Sequence, residues 1–93
     1  MPDLTLEDFL PSVGDAFEVG EGGDGAALTL TEATALPASV RPGGSFRLEF
    51  RGPARPALEQ GIYSIRREQR VFDIFIVPLQ PDSAGARYEA IFN

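Results

Sequence analysis

The sequence predicts a mainly β protein, a small antiparallel barrel or roll of about six meander strands with one short N-terminal helix. Three observations carry this prediction. Apolar and polar residues alternate in short runs from residue 15 to the end, most cleanly in SFRLEFR (45–51). The stretches between runs are rich in Gly, Pro, Asp and Ser and too short for parallel crossovers, which implies antiparallel pairing. Helical spacing of apolar residues occurs only near the start. Six strongly twisted strands in one small unit tend to close into a barrel or roll. A length of 93 residues sets a single domain, 1–93, with one core.

The helix is expected over about 5–13. Thr5 caps it, and Asp8 three residues on supplies a weaker capping box. Leu6, Phe9, Leu10 and Val13 then share one face, and Pro11 limits the segment to about two turns. Strands follow at about 15–20 (Phe17 and Val19 on one face) and 26–36 (Leu28 and Leu30 inward), joined by the turn EGGDG. The run 45–51 places Phe46, Leu48 and Phe50 inward and Arg47, Glu49 and Arg51 outward. After the proline-punctuated loop GPARPALEQ, strands 61–67 and 70–79 meet at a tight, charged turn. QPDSAGA is a further turn, and strand 87–93 ends the chain.

VFDIFIVPLQ (71–80) is apolar on both faces. Phe72, Ile74 and Ile76 line one, while Val71, Phe75, Val77 and Leu79 line the other, broken only by Asp73. One face belongs to the core. The other needs a cover, and the stripe on the N-terminal helix is the expected one. The alternative is another protein molecule, since a patch of this kind left open marks an interface. Pro78 signals an irregularity or an edge position there.

Composition narrows the chemistry. Cysteine, histidine, tryptophan and lysine are all missing, and all eight basic residues are arginine. The usual general base, the usual nucleophile pairs, Schiff-base chemistry and most zinc sites therefore lack their residues. An enzyme would have to work with carboxylates, arginine and tyrosine alone. No catalytic role, cofactor or metal is expected. Residues 1–40 hold eight acids and no base, and residues 41–93 hold eight arginines and six acids, so the halves carry −8 and +2. The simplest outcome is pairing across one fold. An acidic chain is not a nucleic-acid binder by default. No apolar run is long enough to span a membrane, and the acidic start is not a secretory signal, so a cytoplasmic location is expected.

GEGGDG (20–25) matches G-x-G-x-x-G literally, but a strand rather than a helix follows it, and Glu21 and Asp24 would repel a pyrophosphate. It reads as a hairpin turn. Glu18, Glu21 and Asp24 have oxygen ligands that suit calcium, without EF-hand spacing; a solvated turn is the simpler reading. Arg66, Arg67 and Arg70 cluster around the later turn, where arginine forks serve either anion binding or pairing with acids such as Glu68 and Glu89.

The segments LTLEDF, FRGP, LEQGIY, the strand ending VPL and the terminal YEAIFN resemble, nearly end to end, an uncharacterised family of small bacterial proteins, a domain of unknown function. The resemblance brings no catalytic residue. It implies an accessory or structural role beside a phage-tail-like or fibre-like protein. The expected function is a non-catalytic protein-interaction or assembly module, binding a protein partner or a second copy, with Val71, Phe75 and Val77 at the interface and Arg47 and Arg51 at its rim. The alternative is a small-molecule or carbohydrate-binding barrel using Tyr63, Tyr88 and the 52–60 loop at an open end. An interior filled by Phe46, Leu48, Phe50 and Phe72 would count against it.

Overall fold

The computed structural model describes residues 4–20, 26–37, 44–54 and 58–92. The turn at 21–25, most of the 37–44 loop and the middle of the 52–60 loop lie outside the described residues. So do Glu21 and Asp24 of the acidic turn.

Six strands form a closed antiparallel barrel: β1 (Ala16–Val19), β2 (Ala27–Ala35), β3 (Phe46–Gly52), β4 (Gly61–Arg67), β5 (Arg70–Asp82) and β6 (Gly85–Phe92). Period-two alternation explains what fills it. Phe17, Val19, Leu28, Leu30, Phe46, Leu48, Phe50, Ile65, Ile74, Ile76, Tyr88 and Ala90 are all at most 1% exposed, and they are the inward sets of successive strands. β5 and β6 are longer than expected and leave only Ser83 and Ala84 as a turn. β4 and β5 join through Glu68 and Gln69, with Arg67 opposite Arg70.

The order around the barrel is β1-β2-β3-β6-β5-β4, so one continuous meander is replaced by two. β1–β2–β3 and β4–β5–β6 are each hairpin-linked, and β4 returns beside β1 to close the sheet, a Greek-key arrangement. The proline-bearing connection after β3 therefore crosses a barrel end instead of forming a hairpin. The last strand is neither an edge nor the closing strand: it pairs with β3 from Phe46↔Phe92 to Gly52↔Ala86 and with β5 through Val77↔Glu89. β5 is likewise paired on both sides, so Pro78 does not mark an edge. The irregularity it signals lies just beyond, where the register with β6 shifts between Leu79 and Asp82. A second shift, between Leu30 and Glu32, kinks β2 at Thr31, whose hydroxyl donates to the Glu49 carbonyl at 3.1 Å.

The N-terminal helical segment consists of two successive 3-10 turns, Leu6–Asp8 and Leu10–Ser12. Asp8 performs its capping role, accepting the Thr5 amide at 2.7 Å. Pro11 sits at the start of the second turn, where its missing N–H is least harmful. The stripe predicted for an α-helix does not survive this tighter winding. Phe9 is fully buried, whereas Leu10 and Val13 are exposed. Phe9 enters the barrel end, its ring centroid 5.0 Å from that of Phe72, 5.9 Å from Phe46 and 6.1 Å from Phe92. The segment closes the barrel mouth and does not cover the outer face of β5.

The opposite end is closed by the β3–β4 connection. Leu58 is buried there, and its amide donates to the Tyr88 hydroxyl at 2.7 Å. Tight backbone packing accompanies this closure: Gly85 has φ +134, and a Cβ at that position would lie 2.5 Å from the Gly52 carbonyl oxygen.

Candidate functional site

With both barrel ends plugged from inside, the outward side chains of β4, β5 and β6 are left uncovered. On β4 these are Ile62, Ser64 and Arg66, and on β5 Val71, Asp73, Phe75 and Val77. Their ladder partners align Ile62 with Phe75, Ser64 with Asp73 and Arg66 with Val71. β6 adds Ile91, two residues beyond the Val77↔Glu89 pair in the direction that brings it level with Phe75. Ile62 is 73% exposed, Val71 58%, Phe75 49% and Ile91 43%, while Val77 is half-buried. A row of three large apolar side chains thus crosses three adjacent strands, and Val71 and Val77 extend it along β5.

No comparable patch faces outward elsewhere among the described residues. The outer surface of β2 and β3 is an ion-pair ladder. Arg47 reaches Glu32 at 2.7 Å and Glu49 at 2.8 Å, and also pairs with Glu89. Arg87 holds Glu49 through two nitrogens at 3.1 and 3.2 Å, and Arg51 pairs with Asp82. Hydrogen bonds from Arg87 and then Arg47 hold the Glu49 carboxyl below its ordinary range. Arg51, with help from the Ala84 amide, takes Asp82 down to about 2.

The three predicted interface residues on β5 share one outward face, with Phe75 at its centre. Arg47 lies opposite Ile91 in the β3–β6 ladder and borders the patch. Arg51 lies farther along β3, opposite Arg87, committed to Asp82 and away from the rim. Ile62 and Ile91 were missed. The signal for both was present: each is the lone apolar residue on the polar side of an otherwise regular alternation, in GIYSIRR and RYEAIF.

The charge split resolves by pairing. Asp8 lies 3.5 Å from Arg70, Asp15 lies 2.8 Å from Arg67, and Glu18 pairs with Arg66. The arginine cluster at the β4–β5 turn therefore straps the acidic N-terminal segment down. Arg67 and Arg70 line a cleft of about 250 Å3 with Glu7, Asp8 and Glu68. Asp8 is held below its usual range, chiefly by the Thr5 amide.

The ligand-barrel alternative meets a filled interior. Phe46, Leu48, Phe50 and Phe72 are all buried. Tyr88 does not stand at an open end, because its ring is inside and its hydroxyl is engaged by Leu58. Tyr63 donates to the Glu59 carbonyl at 2.8 Å. Among the described residues no group of three or more acidic side chains is arranged to hold a metal ion, and no helix is long and apolar enough to cross a membrane.

A family model described as a domain of unknown function, DUF6916, matches residues 4–92. No curated protein and no solved structure matches the chain.

Proposed function

The chain belongs to the DUF6916 family, to which no function is assigned, and we propose from its own surface that it is a non-catalytic protein-interaction module docking through the outer face of β4–β5–β6. One observation carries this reading: Ile62, Phe75 and Ile91 form a continuous exposed apolar row across β4, β5 and β6, with Val77 beside it and Val71 just beyond Asp73 on β5. Contiguous exposed apolar patches rimmed by polar residues, when larger than a few hundred Å2, are rare on soluble monomers and mark interaction sites. A standard protein–protein footprint is about 800 Å2 per partner and somewhat more than half apolar. This patch supplies the apolar centre of one such footprint, and Arg47 and Glu89 supply a polar rim. The sheet is closed, so the module recognises through side chains and not by strand addition. A fibre-like or tail-like protein is a partner class consistent with such an accessory role.

The test is a photo-crosslinking residue placed at 75 in the native host, with the same residue at Glu32 as control. A discrete adduct formed at 75 and absent at 32 supports the reading. The same diffuse labelling from both positions would overturn it.

A further inference from the structure

Asp73 stands in the middle of the apolar patch, between Val71 and Phe75 on the outer face of β5. Its one side-chain partner among the described residues is neutral: the Ser64 hydroxyl donates to it at 2.6 Å. A carboxylate has acceptor capacity for several more hydrogen bonds, and here that capacity faces solvent. Among the described residues no cation serves it. Each of the six described arginines already has a carboxylate partner. The diagonal neighbour Arg66 is drawn toward Glu18 on β1.

A partner that buries Phe75 must therefore also desolvate Asp73. Burying a carboxylate against apolar groups alone is strongly unfavourable, while a cation with hydrogen-bonding geometry converts the same burial into a specific contact. Building on the proposed docking function, we infer that the occupant of this face is a protein segment presenting an arginine or lysine among apolar side chains, its cation pairing with Asp73. The net charge of −6 steers such a segment inward.

A second copy of the chain is a poorer occupant. Two copies stacked about a twofold axis along β5 bring Asp73 against its own equivalent. An axis across the strands through Phe75 sets Asp73 on Val77. Either arrangement leaves a carboxylate desolvated without a cation, between two molecules of the same net charge.

The experiment is selection of a random twelve-residue display library on the wild-type protein, with counter-selection on Phe75→Ser. Enriched peptides are then measured against wild type and Asp73→Asn, which preserves the Ser64 hydrogen bond. The expected result is enrichment of peptides with arginine or lysine flanked by apolar residues, losing about tenfold in affinity on Asp73→Asn and weakening with salt. Peptides that need Phe75 but lack a basic residue, or that ignore Asp73→Asn, overturn the cation pairing and leave the docking face standing. A wild-type dimer by light scattering that Asp73→Asn tightens overturns it in favour of a second copy. Failure to enrich any Phe75-dependent peptide overturns both readings.

Discussion

Replacing Phe9 by alanine tests whether the N-terminal turns plug the barrel or decorate it. The ring is fully buried and meets Phe46, Phe72 and Phe92 at centroid separations of 5.0 to 6.1 Å. Truncating a fully buried phenylalanine costs about 3–5 kcal/mol, combining lost transfer energy with the cavity left behind. A domain of this size has about 5–15 kcal/mol in all, so the loss is about a fifth of the total or more. The expected fall in Tm is on the order of 20 °C. Urea unfolding followed by circular dichroism measures the free-energy loss and a thermal scan the fall in Tm, with Leu10→Ala as the matched control. Leu10 belongs to the same predicted stripe but is 46% exposed, and its truncation should cost under about 1 kcal/mol. Equal losses at the two positions, or a Phe9→Ala cost below about 1 kcal/mol, would refute the plug. The segment would then be lying along the outside, as helical spacing alone suggests.

Other perturbations have definite outcomes. Tyr88→Phe leaves the buried Leu58 amide without its acceptor and should cost about 1–3 kcal/mol in the same unfolding assay. Gly85→Ala forces a Cβ against the Gly52 carbonyl at a positive φ and should lower Tm more than alanine at exposed Ser83 does. Phe75→Ser should leave Tm within a few degrees of wild type, because a half-exposed outward ring contributes little to folding; a large loss would mean the patch is structural. Asp8, Glu49 and Asp82 all have folded pKa values below their ordinary ones, Asp82 at about 2. Their stabilisation is fully present above the unfolded carboxylate range near 4. It is lost as pH falls from there through the folded values toward 2. The urea midpoint should therefore be flat from about pH 6 to 8 and drop below about pH 4, with a shallower drop in Glu49→Gln.

What could be read ahead of the structure follows from the length scale of each signal. Alternation is local, so the inward sets of Phe46–Leu48–Phe50 and Phe72–Ile74–Ile76 and the outward position of Phe75 were legible residue by residue. Pairing partners are not local. The prolines of FRGPARPALEQGIY suit a stiff connection across a barrel end but do not say which strands flank it, and that one choice puts β6 between β3 and β5. The spacing of Leu6, Phe9, Leu10 and Val13 fits an α-helix well. Pro11 and the Thr5–Asp8 cap instead favour two tighter turns, in which Phe9 is fully buried, Leu6 packs against the core and Leu10 and Val13 face out. Arg47 and Arg51 share the outward face of one strand, so alternation alone does not separate them; the ladder does, setting Arg47 opposite Ile91 and Arg51 opposite Arg87, where it pairs with Asp82. Ile62 and Ile91 were passed over because single apolar residues on a polar face are common. Only the barrel brings them level with Phe75.

Because the barrel has no free backbone edge, its inner and outer surfaces are written in separate letters of the same strands. Even-numbered positions of β5 such as Phe72, Ile74 and Ile76 hold the fold, and odd-numbered ones such as Val71, Asp73 and Phe75 meet the world. A change of partner can therefore be made by rewriting every second residue of three neighbouring strands. The packed interior does not have to be renegotiated.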